Sequence, residues 1–180
     1  MEDNPQVITP HGRFLDILFA YLGAVSHVFQ DVKGLYGISH IAITHIENHR
    51  IMTFSSTPSL EFNLFSSNLW RFDKTYQTSW YQRCAMSAWP SLYTKAHYDE
   101  LYYLKQLKHH LPLGVTFSTR SATGHVIYSM ASHNADQETQ DAFKNQQEHF
   151  CKIGQYCASL LLPFFQEALS SGASANISAK

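Results

Sequence analysis

The 180-residue sequence has little to crosslink it and little to charge it. Its three cysteines, Cys84, Cys151 and Cys157, are odd in number and form no C-x-x-C pair, which argues against a disulfide scaffold and for a reducing compartment. Charged residues make up 15% of the chain, and 13 Lys and Arg against 14 Asp and Glu leave a formal charge of −1. Nothing in that balance advertises a nucleic-acid partner or an acidic membrane surface. No apolar run approaches the ~18 residues that a membrane span requires. The opening Met1-Glu2-Asp3-Asn4 carries acid where a secretory signal carries base. The expected setting is therefore the cytoplasm, with no direct nucleic-acid contact and no membrane. G-x-S-x-G, H-E-x-x-H, P-loop and G-x-G-x-x-G patterns are all missing, as are internal repeats, so no spacing supports a particular catalytic chemistry or implies a cofactor.

What the chain does have is apolar mass. At 44% hydrophobic it can bury one substantial core, and it is short for two domains. The densest feature is Leu69-Trp70-Arg71-Phe72-Asp73-Lys74-Thr75-Tyr76, followed by Trp89-Pro90-Ser91-Leu92-Tyr93, which gathers aromatic rings around one carboxylate. An Asp in such company can accept a hydrogen bond from a ligand amide while the rings supply apolar contact and fix orientation. The same residues also suit a plain aromatic core with one surface Asp.

Along the chain, Phe14, Leu15, Leu18, Tyr21, Leu22, Val25, Val28 and Phe29 recur at helical spacing and predict one amphipathic helix ending near Gly34 and Gly37. Residues 38–46 and 50–55 predict two antiparallel strands joined at Glu47-Asn48-His49. A helix follows Pro58, with Ser59 as its expected N-cap, and reaches toward Trp70. Tyr98, Leu101, Tyr102, Leu104, Leu107 and Leu111 predict a helix over 94–110, stopped by Pro112. Residues 114–120 and 125–131 predict a second hairpin turning through 121–124. Asn134 and Gln137 have capping-box spacing ahead of a long helix carrying Phe143, Phe150, Ile153, Cys157, Leu160, Leu161 and Phe164, which Pro163 should kink or shorten. Residues 1–170 are expected to form the folded unit, and 171–180, small and polar, a flexible tail or linker. Two hairpins with helices before, between and after them make an α/β/α sandwich around a central antiparallel sheet, of PAS or GAF kind.

This order of elements, and the segment from Leu69 to Ala131, resemble the autoinducer-binding domain of LuxR-type quorum-sensing transcription regulators. Asp73-Lys74-Thr75 matches the tripeptide after that family's aromatic-rich helix, Pro90-Ser91-Leu92-Tyr93 its later Pro and aromatic, and Gly114 and Gly124 its strand and hairpin glycines. The resemblance implies a pocket between sheet and helices for an acyl-homoserine lactone or a related signal, and Asp73 as acceptor of the ligand amide hydrogen. Thr75 and Tyr93 match family pocket positions. Taken with the aromatics nearby, the expected ligand-binding residues are Asp73, Thr75, Phe65, Trp70, Trp89, Tyr93 and Tyr128.

Some positions depart from the family pattern. Glu61 and Phe65 stand where the family carries a Trp and a Tyr four apart, and Lys74 replaces its Pro. Glu61 beside a carbonyl-rich ligand would repel it or require protonation. The family's helix-turn-helix half is not in this sequence, so the chain either stops in the linker after Ser170 or senses without binding DNA itself. On the second hairpin Tyr128, in register with Val126 and Met130, is expected to face the pocket in preference to Ser129. His40 and His45 should face opposite sides of a strand, which argues against a zinc site with His49. His109-His110 suits the negative pole of a helix end. The expected function is small-molecule sensing by a homodimer that is not an enzyme. The alternatives are a ligand-free dimerisation module of PAS or GAF type, and a small hydrolase built on one of the eleven His with Cys84, Cys151 or a Ser.

Overall fold

The computed structural model describes residues 7–177. A short strand β1 (Thr9–Pro10) leads into α1 (Phe14–Ala20) and α2 (Leu22–Gln30). The single helix predicted here is broken at Tyr21, whose φ of −117° and ψ of 28° leave the helical region. The break sends Phe14 and Leu18 to one hydrophobic cluster, and Val25, Val28 and Phe29 to another. Strands β2 (His40–Glu47) and β3 (Arg50–Ser55) form the first hairpin. Its turn is the pair Asn48 and His49, both with left-handed φ (49° and 61°), the conformation that matches the twist of a two-residue hairpin loop.

Helix α3 (Pro58–Ser66) starts two residues earlier than expected: Thr57, not Ser59, occupies the N-cap position. The chain then tightens into two 3-10 turns, Leu69–Phe72 and Lys74–Tyr76, before α4 (Thr78–Tyr81), the short strand β4 (Met86–Ala88) and α5 (Trp89–Leu92). The helix predicted over 94–110 is a composite. A 3-10 turn at Lys95–His97 runs into α6 (Tyr98–Tyr102), and Tyr103–Leu107 winds as a π turn. Strands β5 (Leu113–Arg120) and β6 (Gly124–Ser132) form the second hairpin. Helices α7 (Gln137–Asn145) and α8 (Gln147–Ile177) replace one predicted helix, divided at Gln146. The N-cap of α7 is Asp136, which accepts from Thr139 N at 2.8 Å, while Asn134 Oδ1 accepts from Asp136 N, so the expected Asn134–Gln137 capping box does not form. Helix α8 continues past Pro163 to Ile177, over positions read from sequence as a tail; residues 178–180 lie outside the described ones.

The sheet order is β1-β3-β2-β6-β5-β4, antiparallel throughout except for the two-residue pairing of β1 with β3. The two hairpins join through β2 and β6, and helices cover both faces, giving the α/β sandwich expected. Alternation along the strands makes the faces chemically unlike. One carries Ile41, Ile43, Met52, Phe54, Val115, Phe117, Val126, Tyr128 and Met130, packed under α2, α7 and α8. The other carries Ala42, Thr44, Thr53, Ser55, Gly114, Thr116, Ser118, Ser129 and Ala131, small or hydroxyl-bearing residues, with Ile46, Ile51 and Ile127 toward the hairpin-turn end, all set beneath the segment from α3 to the π turn. No helix among the described residues is long and apolar enough to cross a membrane.

Candidate ligand-binding site

The hydroxyl-lined face of the sheet needs bulk from above, and the aromatic segment supplies it. Phe65 on α3 stacks on Trp70, with centroids 5.5 Å apart, and Tyr76 meets both rings edge-on. Trp89 is fully buried, and its Nε1 donates to Thr116 Oγ1 at 3.0 Å, which in turn is 2.9 Å from Ser129 Oγ. A β-carbon at position 114 would fall inside the Trp89 ring, so Gly114 is what lets the indole lie on the sheet. Thr44 and Thr53 pair across the first hairpin at 2.8 Å.

Asp73 has no solvent exposure. It bridges to Tyr93 in an isolated antiparallel backbone contact, while Thr94 N donates to Phe72 O, so the two halves of the aromatic segment are tied together at the carboxylate. Both carboxylate oxygens are engaged. Oδ1 accepts from Thr75 N at 3.0 Å, and Oδ2 accepts from Lys105 Nζ at 2.7 Å. Lys105 is itself buried, and its ammonium lies 4.5 Å from the Trp89 ring centroid and 5.4 Å from that of Tyr93. Next to it in sequence, Gln106 accepts from the Tyr93 hydroxyl at 2.8 Å and donates to the Leu111 and Pro112 carbonyls.

Beyond this pair lies a second polar cluster. His40 Nδ1 is 3.0 Å from Thr57 Oγ1, and its Nε2 is 3.7 Å from Glu61 Oε1. Burial pushes the Glu61 carboxyl up to about 7, and burial, reinforced by the charge of Lys105, pushes the His40 imidazole down to about 3. Both groups are thereby held uncharged across mildly acidic pH. His40 Nε2, Glu61 Oε2 and Thr75 Oγ1 are buried without hydrogen-bond partners, and such atoms seek a polar neighbour. The Tyr76 and Tyr93 hydroxyls are both raised above their ordinary range, by burial first and then by the Asp73 charge. A cleft of about 470 Å³, lined by Thr9, Trp70, Arg71, Tyr76 and Thr78 among others, opens on the outer side of this layer.

Of the residues expected from sequence, Asp73, Thr75, Phe65, Trp70, Trp89 and Tyr93 all lie on this side of the sheet. Tyr128 does not: it stacks on Phe117 and packs against Gly154 of α8 on the opposite face. Ser129 faces the candidate site instead, because neighbouring strand residues alternate. His40 and His45 likewise divide, His40 toward Trp89 and His45 onto Phe165. Lys105, Gln106, Thr44 and Thr116 were not singled out from the sequence, His40 was weighed only as a metal ligand, and Ser129 was set aside in favour of Tyr128. The run of Gly114, Thr116 and Ser118 at every second position of β5 was the signal for Thr116.

Neither a protein-family model nor a curated protein matches this sequence. Among solved structures the chain is similar to the VqsR LBD domain from Pseudomonas aeruginosa, with a TM-score of 0.50 and 13% identity over 83% of this chain and 99% of that one. It is similar also to Escherichia coli SdiA, with a TM-score of 0.54 and 12% identity over 86% of this chain and 68% of that one. At this identity the likeness is one of fold.

Proposed function

We propose that this chain is a small-molecule sensing domain with its ligand site between the hydroxyl-lined sheet face and the aromatic layer over it. One observation carries this: a fully buried carboxylate, Asp73, is held among Trp89, Tyr93 and Lys105, and the Trp89 ring lies over Gly114, Thr116 and Ser129 of the sheet. The opposite face is filled with branched and aromatic side chains along the central strands, whereas this one presents Ala42, Thr44, Gly114, Thr116 and Ser129 there, with its branched residues Ile46, Ile51 and Ile127 toward the turn end. Small residues beneath large rings suit an apolar guest with a few oriented polar contacts. The shared fold with LuxR-type domains points the same way.

On this reading the protein is not an enzyme, and it works in the cytoplasm as a homodimer whose signal is an acyl-homoserine lactone or a related molecule. A ligand that binds only the folded state at about a hundred times its dissociation constant adds roughly 2.7 kcal/mol, a shift of several degrees in a domain of this size. The test is thermal unfolding of the purified chain with lactones of graded chain length and with bacterial extracts. The expected result is a rise in Tm that disappears in the Asp73→Asn/Lys105→Met double variant, which removes the buried pair together. If nothing shifts Tm while the chain dimerises normally, a ligand-free dimerisation module takes the place of the sensor.

A further inference from the structure

We infer that Asp73, Trp89 and Tyr93 form a cage for a primary alkylammonium group, which the chain fills with its own Lys105 until a free amine takes its place. This rests on the sensor reading and narrows it: of the lactone or related molecule proposed above, it selects a related signal that carries an amine in place of the neutral lactone. The ammonium of Lys105 has a carboxylate oxygen at 2.7 Å and ring centroids at 4.5 and 5.4 Å. A carboxylate with aromatic faces around it is the arrangement by which proteins recognise amines.

Each wall of the cage is fixed by something other than Lys105. Asp73 is held by Thr75 N and by its bridge to Tyr93, Trp89 by Thr116, and Tyr93 by Gln106. None of these contacts runs through the ammonium. Lys105 also sits on the π turn, a winding found often at functional sites, where Lys108 N reaches Tyr103 O and Leu111 N reaches Gln106 O.

Charge selects the ligand. A neutral amide would have to displace a charged donor from a buried carboxylate and leave two opposite charges apart, whereas an ammonium exchanges like for like. Near the cage, uncharged His40 adds no competing cation, and Glu61 offers an unpartnered oxygen as a further acceptor. In the wild type the tethered ammonium is present at high effective concentration, so a very small amine cannot compete with it.

The test uses Lys105→Ala, which deletes Cγ to Nζ, the atoms of n-propylammonium. Tens of millimolar n-propylammonium chloride should raise the Tm of Lys105→Ala by several degrees, while equal 1-propanol or sodium chloride leaves it unmoved, as all three leave the wild type. Asp73→Asn/Lys105→Ala should not respond to the amine. An equal response to propanol, no response at all, or a full response in the double variant overturns the cage. If Lys105→Ala fails to fold alone, refolding followed by circular dichroism decides. Recovery with the amine only upholds the cage, and recovery with neither or with both compounds overturns it. The two readings fail separately: a lactone that stabilises the wild type without amine rescue of the variant sinks the cage alone, and amine rescue with no wild-type ligand sinks the sensor alone.

Discussion

At the scale of single residues, the molecule turns on an ion pair that has left water entirely. Removing one member of such a pair leaves an uncompensated buried charge, whereas removing both leaves only a repacking problem. Asp73→Asn and Lys105→Met should each destabilise the domain by about 3–5 kcal/mol, and the double variant by much less than their sum. Urea unfolding of the four proteins measures this directly, and additivity would mean that the pair is not energetically coupled. Tyr128 offers the complementary control. Its hydroxyl meets Thr119 at 3.2 Å on the far side of the sheet, so Tyr128→Phe should leave any ligand-induced Tm shift unchanged. A lost shift would place the site on the wrong face.

At the scale of elements, the indole of Trp89 ties α5 to the sheet because β5 carries Gly114 beneath it. Gly114→Ala forces that ring off its bed. Overpacking of this kind typically costs about 1–3 kcal/mol, and here the loss should come with a changed tryptophan emission spectrum, since Trp89 Nε1 gives up Thr116. An unperturbed spectrum would show that α5 moves as a unit instead. The two hairpins were legible in the sequence because strand alternation and short turn signals are local. The face that carries the candidate site was not, because bulk at Val126, Tyr128 and Met130 suggests a pocket wall in sequence and packs here into the core under α8. Lys105 and Gln106 were hidden for a different reason. Ideal helical periodicity puts Leu107 inside and Lys105 outside, but the π turn inserts a residue and rotates the later side chains by about 100°. Lys105 and Gln106 are buried as a result, and Leu107 and Tyr103 are more than half exposed. A one-residue change of winding depends on the partner awaiting the side chain, here Asp73, which lies 32 positions away. The short strands β1 and β4 were missed because two or three residues carry no period.

At the scale of the whole molecule, the buried ionisable groups set how stability responds to pH. Glu61 is raised from 4.5 to about 7 by burial, so the fold binds its proton more tightly than the unfolded chain does. Its stabilising contribution is complete below about pH 4.5 and is lost as pH rises through about 7. His40 and His45 are lowered from 6.5 to about 3 and about 4, in both cases chiefly by burial, so the fold prefers them neutral. Their contribution is complete above about pH 6.5 and is lost as pH falls through about 4 and then 3. Between about pH 4.5 and 6.5 one carboxyl opposes two imidazoles, and the wild type should lose stability on acidification. Glu61→Gln removes the opposing group while keeping a polar side chain of the same size. The variant should therefore gain on the wild type as pH rises from about 5 to 8, and its own loss on acidification should be steeper. Urea midpoints of both proteins at the two pH values give the comparison. A constant difference between them would mean that Glu61 keeps its ordinary acidity in the fold, and that the polar cluster around His40 is wetter than its burial indicates.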